Sequence, residues 1–548
     1  MMLKKVSKLF LIVSLILLGT VSWSLTMIKS GIIYPFGMGF WGANGHDGIW
    51  HIALINSLSR GSFDMPIFAG SNIKNYHLGF DLLTAFFHNI TSIPTVNLYF
   101  QILPPILAFL IGISCYLFVN ALTKSKRAAL WATFFVYFGG EASWIFGRGE
   151  STFWSQQSIS TLINPPFALS LILIFSGLYF LLKRKPILAI LFFGILLETK
   201  AYAGVLVLGS LFISSIYEYI SQKKKDYFIV FAGSSILSLL LFFLLNSGSE
   251  NVFIFSPFWF LQTLFGIDRF SIPKLFSAIT NYNLARNYLK LTLTYILAFG
   301  IFWIGNMWTR LFKEFEVIKW IRHPKSIKPM DVFITSMIIS GALIPMLFIQ
   351  KGTPWNTIQF FYYSLMFSAV LTGIALKNLK NPFLIIVIIL LTIPTTIITL
   401  KDVYIPGRPP AKISIQELNA LDFLSKQTKG VVLTYPYDSA AAKAAESNPP
   451  RPLYLYDSTA YVAAFSNHET FLEDEVNLNI TGFNWQTRRS EVKEFFKATN
   501  VNDAKNFLAK NNIKYIYLES LQKTFLTERQ LGAVKIFENN EVNIFKIE

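Results

Sequence analysis

Apolar runs close to the ~20 residues needed to cross a bilayer recur from the N-terminus to about residue 400. A backbone spanning lipid must satisfy its own hydrogen bonds, so runs of this kind have to be helices packed on one another. About eleven are read, near 9–28, 99–122, 128–145, 160–182, 186–199, 202–220, 227–246, 291–312, 330–350, 357–376 and 381–400. The segment Tyr76 to Thr91 is also apolar, but it is too short to cross and reads as a surface or re-entrant helix. Residues 402–548 contain no such run and hold 17 Lys/Arg against 18 Asp/Glu. The expected fold is therefore a polytopic α-helical membrane domain, residues 1–401, followed by a soluble C-terminal α/β domain, residues 402–548.

The formal charge of +17 by itself suggests nucleic acid. Its distribution argues otherwise. The C-terminal part carries −1, so residues 1–401 carry +18, from 31 Lys/Arg and 13 Asp/Glu. These cations cluster in short loops between apolar runs, as cytoplasmic loops of membrane proteins do. With the N-terminus inside, the inner segments hold Lys4, Lys5 and Lys8, three basic triplets near residues 124–127, 183–185 and 223–225, the run Arg310 to Lys328, and Lys377 with Lys380. That is 20 of the 31. Counting Tyr76–Thr91 as a span would put the triplets outside. The charge census thus selects the odd count and places the C-terminal domain outside the cytoplasm, with a lipid membrane and no nucleic acid as partner. Cys115 is the only cysteine, so one chain has neither a disulfide nor a Cys-based zinc site. The first apolar run is too long, and lacks the small-residue cleavage site, for a secretory signal; an uncleaved span is expected.

Three outer regions are long: 29–98, 141–159 and 247–290. Their aromatics, Trp144, Trp154, Phe258, Trp259 and Phe260, also suit an interfacial belt. The outer domain begins after the stiff linker Pro406-Gly407-Arg408-Pro409-Pro410. Within it, Ile413–Lys426 has helical spacing and Arg488–Lys510 reads as two amphipathic helices. Strands are expected at 430–435, 513–518, 533–537 and 542–547, the last two as a hairpin.

Chemistry concentrates in the first outer loop, in Gly45-His46-Asp47-Gly48-Ile49-Trp50-His51. If Asp47–Ser59 is helical, Asp47 and His51 share a face with Trp50 beside them, and Ile49, Ile52, Ala53, Ile55 and Leu58 would lay the helix on the membrane plane. Asn75-Tyr76-His77-Leu78-Gly79-Phe80-Asp81 then leads into the short apolar segment. The loop thus brings Asp47, His51, Tyr76 and His77 to one surface. A positioned carboxylate can take a proton as general base, worth about 10²–10⁴-fold. The histidines could orient it, contact substrate, pack in the interface, or join it on a divalent cation, although the spacing selects no metal. Equally, Asp47 can be the helix cap, a place Asp favours.

This loop resembles that of the C-type (GT-C fold) glycosyltransferases, which include protein O-mannosyltransferases and aminoarabinose transferases. The resemblance rests on the Asp47 heptapeptide, Arg60-Gly61, a Pro, and Tyr76-His77-Leu78-Gly79 opening an apolar segment. It extends to Leu196-Leu197-Glu198-Thr199-Lys200, where many members carry a Lys after a short helix, and to Lys351–Phe361 before the last spans. The layout of spans and outer domain is similar too. Many members have a Pro pair where this chain has Leu78-Gly79, and the second acidic pair of metal-dependent oligosaccharyltransferases is not seen. The resemblance implies catalysis at the outer membrane face with Asp47 as base, a polyprenyl-phosphate-linked sugar as donor, and a cell-envelope glycan, lipid or protein as acceptor.

Such a reaction sheds an anionic lipid phosphate and needs cations for it. Arg148, Lys200, Arg269 and Lys351 are the candidates, with Lys200 and Arg148 preferred for their apolar neighbours; Trp50, Tyr76 and Gln359 complete the expected binding set. Two other readings are a lipid or glycan flippase, which would show symmetric halves and charges at mid-membrane, and a glycan polymerase or ligase.

Overall fold

The computed structural model describes residues 2–245 and 253–548, and side chains from residue 9 onward within them. The end of the run read at 227–246 and the first residues of the outer region 247–290 lie outside the described residues. Among the described residues, eight helical stretches are long and apolar enough to cross a membrane: Thr95–Thr123, Pro165–Leu182, Ala201–Gln222, Asp226–Leu245, Tyr288–Arg322, Pro329–Leu347, Pro354–Asn378 and Pro382–Tyr404. The chain is a multi-pass membrane protein. Three of the runs read as spans are shorter helices: Leu9–Ser24 and Pro186–Thr199, and the run at 128–145, which is helical only over Lys126–Phe138.

The ends of these helices follow from local sequence. Ser125 accepts from the Ala128 amide to start Lys126–Phe138, and Asn164 accepts from Phe167 N ahead of Pro165 and Pro166. At helix C-termini, Lys124 and Lys223 close their helices in the left-handed conformation, each with a cation at the negative helix end. The helix Gln359–Ala375 runs through the middle of the bundle, and 89% of its spanning stretch is buried. Small residues let neighbours approach it: a Cβ on Gly373 would stand 2.2 Å from Ala132 N, and one on Gly341 2.8 Å from Phe360 O. By contrast, Asp226–Leu245 and Tyr288–Arg322 are 17% buried and form the periphery.

Lys126–Phe138 stops early because of Arg310. The sequence counts Arg310 among inner basic residues; the fold buries it completely. Its guanidinium donates to Gln157 Oε1 (2.8 Å), Asn306 O (3.0 Å) and Ser158 Oγ (3.3 Å). A Cβ on Gly139 would lie 2.6 Å from that guanidinium. The chain therefore turns at Gly139, and the outer region 141–159 sinks into the bundle, with Glu141 accepting from Thr152 N and Gln157 Nε2.

The C-terminal part has the expected strands. Val431–Thr434, Ile513–Glu519, Ala533–Glu538 and Val542–Ile547 form one sheet, in which the first pairs parallel to the second and the last runs antiparallel between the other two. The helices Ile415–Ser425, Trp485–Lys497 and Val501–Lys510 accompany it. The first outer loop is knitted to this domain. Its hairpin, Ile32–Tyr34 with Gly37–Phe40, pairs through Met38–Phe40 with Ala411–Ile413. The linker is stapled as well, by Lys29 Nζ and Trp41 Nε1 donating to Pro406 O at 2.8 and 2.7 Å. Further along, Thr470 and Pro66, and Asn75 and Thr481, are joined by hydrogen bonds of 2.8 and 3.1 Å.

Candidate active site

The first-loop helix spans Asp47–Ser59. Instead of lying on a membrane plane, it is buried on every face from Gly48 to Ile55, packed between the helix Gly79–Thr91 and the outer-domain helix Tyr461–Ser466. Asp47 is the exception. It is exposed, and it faces a cavity of about 290 Å³. It is the first residue of the helix, not its cap: the cap position is His46, and no side chain caps that end. His46 instead joins Ser458 Oγ at 2.5 Å and stands edge-on to the Tyr456 ring at 4.5 Å, fixing the loop against the outer domain. Gly48 is required here, since a Cβ would meet the Phe100 ring at 2.7 Å.

One turn on, His51 and Trp50 line the same cavity, followed by Tyr76 and His77. The Tyr76 ring stacks on His77 (4.7 Å) and meets Trp50 edge-on (5.5 Å). Beneath them lies a carboxylate that sequence reasoning passed over. Asp81, fully buried in the first turn of Gly79–Thr91, takes His51 Nδ1 at 2.7 Å. With the Nδ1 proton donated to Asp81, Nε2 remains for the cavity side. The signal available was a carboxylate opening an apolar helix, where it has to find a cation or donor inside the protein. Burial raises the Asp81 carboxyl above its ordinary value, while His51 and Lys200 oppose the rise. Burial also holds His77 well below the usual imidazole value, helped by Lys200 and His51, so it is neutral at pH 7.

Lys200 sits in the break between the helices Leu196–Thr199 and Ala201–Gln222 and is 4% exposed. It lines the cavity beside Glu198. Burial brings its ammonium down to about 7, against the pull of Asp47 and Asp81. Gly79 makes this meeting possible: a Cβ there would lie 2.9 Å from Glu198 O, so any larger residue would lever the Lys200 segment away from Asp81. The rest of the wall divides. One side is an amide ladder in which Tyr202 Oη and Asn356 Nδ2 donate to Gln350 Oε1 (3.0 and 2.9 Å) and Gln359 bonds Asn356 and Asn164. The other side is apolar, with Val205, Phe242, Phe253 and Phe360. Only Gln359 of this ladder was singled out from sequence.

The structure thus brings together Asp47, Trp50, His51, Tyr76, His77, Lys200 and Gln359. It sets three candidates apart. Arg148 donates to Arg269 O (2.9 Å), and the Arg269 guanidinium lies over Trp154 at 4.1 Å, so these two pin outer loops to one another. Lys351 is exposed beside the cavity rim and is not part of its wall. Among the described residues no three His, Cys, Asp or Glu side chains converge as a metal-ligating set, and His51 Nδ1 is already held by Asp81. The donor set does not fit a bound cation.

Fixing Asp81 gives an expected result. Asp81→Asn presents an amide to Nδ1 and reverses the His51 tautomer; if His51 works on a substrate in the cavity, kcat should fall by up to about 10⁴-fold, the loss when an asparagine leaves a catalytic histidine in the wrong tautomer. KM should move little. If His51 only packs, the variant would lower the melting temperature and leave kcat and its pH profile unchanged.

Neither a family model nor a curated protein matches the sequence. Solved structures do. The archaeal oligosaccharyltransferase AglB from Archaeoglobus fulgidus, in complex with an inhibitory peptide and a dolichol-phosphate, overlays with a TM-score of 0.55 at 13% identity, covering 94% of this chain and 70% of that one. The complex of the Archaeoglobus fulgidus oligosaccharyltransferase with Zn and sulfate gives 0.53 at 14%, over 92% and 68%. At 94% coverage the overlay takes in both the membrane bundle and the C-terminal part, so the chain shares the fold of these oligosaccharyltransferases, which is the GT-C fold.

Proposed function

We propose that this protein is a glycosyltransferase that moves a sugar from a polyprenyl-phosphate-linked donor to a cell-envelope acceptor at the outer face of the membrane. The observation that carries the reading is the cavity itself: an exposed carboxylate, a buried ammonium and an apolar wall meet in one space. The shared fold with a protein that holds a dolichol-phosphate supports it. Asp47 takes the proton of the acceptor hydroxyl as its oxygen attacks the anomeric carbon. The bond from that carbon to the phosphate oxygen breaks, and the electron pair leaves with the lipid phosphate. Lys200 meets the charge that develops there. The apolar wall at Val205, Phe242 and Phe253 accommodates the first isoprene units, while the amide ladder offers hydrogen bonds to sugar hydroxyls.

The test is product analysis. Protein in lipid nanodiscs is given radiolabelled polyprenyl-phosphate sugar and a delipidated cell-envelope fraction. Label should leave the lipid, appear on an acceptor, and release one polyprenyl phosphate per sugar moved. Label that crosses a proteoliposome membrane while still on its lipid, with no adduct, would replace this reading with transport.

A further inference from the structure

A second concavity lies in the outer domain, against the loop that carries Asp47. Its walls hold six tyrosines, among them Tyr437, Tyr454 and Tyr456, and four carboxylates, Asp457, Glu473, Asp474 and Glu475. It has about 50 Å³ of space, room for about four water molecules. The short helix Glu475–Ile480 separates it from the Asp47 cavity: Asp474 and Glu475 face the groove, Asn477 and Ile480 the cavity. The link between His46 and Ser458 closes the wall at the other side.

We propose that this groove binds one sugar unit, uncharged or amine-bearing, of a saccharide acceptor. The proposal rests on the transferase reading of the adjoining cavity. Three features of the groove carry it. Thr459 Oγ1 lines it, is 4% exposed as a residue, and has no partner among the described residues, so a hydroxyl-sized donor or acceptor is missing from its surroundings. Tyr437 and Tyr454 line it and are partly exposed, and tyrosine combines an apolar ring with a polar hydroxyl, the combination that suits amphipathic ligands.

Charge decides the class of sugar. No Lys or Arg lines the groove. The nearby cations are engaged: Arg489 pairs with Glu475, and Arg451 lies over the Tyr456 ring at 3.5 Å. Asp457 is exposed. An anionic sugar or lipid headgroup would meet the exposed Asp457 carboxylate with no cation in the groove wall to offset it, whereas an amine would gain a counter-charge there.

The test uses the full chain in nanodiscs and saturation-transfer NMR with three probes: a panel of neutral gluco-, manno- and galacto-trisaccharides, a glucosamine trimer, and a galacturonate trimer. At least one neutral trisaccharide and the glucosamine trimer should show saturation transfer, and the galacturonate trimer should not. Thr459→Val, which keeps the shape and removes the hydroxyl, should weaken binding at least fivefold. Asp457→Asn, on an exposed residue, should weaken the glucosamine trimer about tenfold and the neutral probe little. Equal or tighter binding of galacturonate, or binding unchanged in both groove variants, would overturn the proposal. If no sugar binds while transfer proceeds, the groove assignment fails alone; if sugar binds and transfer is never seen, the transferase reading fails and the saccharide site stands.

Discussion

Asp47→Asn is expected to lower sugar transfer by about 10²–10⁴-fold, the span of a lost general base, which is about 3–5 kcal/mol on the barrier. The substitution is close to isosteric, and the site is suited to it. Asp47 faces open cavity, while Gly48 to Ile55 behind it are buried and hold the helix in place. Its side chain caps nothing. The fold loses only the favourable placement of an anion at a helix start, about 0.3–1 kcal/mol, so the melting temperature should shift by a few degrees at most. Donor binding, measured by co-purified or titrated lipid phosphate, should stay within a few-fold of wild type or tighten slightly, since a carboxylate near the phosphate is gone. Asp47→Glu should retain part of the rate, because the base survives but is displaced by one methylene, and reactions held in near-attack geometry are sensitive to shifts of about 1 Å. Initial rates with saturating donor decide the matter. A full rate in Asp47→Asn would remove this residue from the chemistry and leave it a surface carboxylate of a cavity with another purpose.

How much of this could be read from residues alone depends on whether the cause was local. Most of the apolar runs, and the strands at 431–434, 513–519, 533–538 and 542–547, are local patterns and appear where the sequence placed them, while the runs at 9–28, 128–145 and 186–199 fold as shorter helices. Asp47 and His51 share a cavity because four residues on a helix is one turn. The misses are all long-range. The first-loop helix looked amphipathic because Tyr461–Ser466, some 400 residues away, had not yet covered its other face. The early stop at Phe138 depends on Arg310, and the burial of Arg310 depends on Gln157 and Asn306. Asn164, Gln350 and Asn356 look like ordinary helix-end polar residues until Gln359 and Tyr202 complete the ladder. Arg148 looked like a phosphate contact from its aromatic neighbours, and those same aromatics show why it is elsewhere: they pack the outer loops together, with Arg269 on Trp154.

Lys200→Met should reduce kcat/KM for the donor by about 10²–10³-fold, the cost of removing one donor aimed at developing oxyanion charge, and it should do so without unfolding the protein. Methionine matches the length of the lysine stem and removes a charge from a site that is 4% exposed, so the variant should melt no lower than wild type at pH 7. The pH dependence separates this role from packing. Lys200 titrates near 7 in the fold, and only its ammonium form attracts phosphate. As pH rises through 7 the ammonium fraction falls, so wild-type kcat/KM should decline up to tenfold per unit on the alkaline side. Lys200→Met should lack this limb, having no group to lose. The contribution of Lys200 to stability moves the other way. The unfolded lysine holds its proton up to about 10.5, so between pH 7 and 10.5 the unfolded state binds the extra proton and this residue adds stability as pH rises, a contribution that appears as the difference between wild type and variant. Loss of the alkaline limb of kcat/KM together with a change in the pH slope of the melting temperature, both from one substitution, is not produced by a lysine that merely fills space. An alkaline limb that persists in Lys200→Met would assign the titration to another group and move the phosphate contact away from this residue.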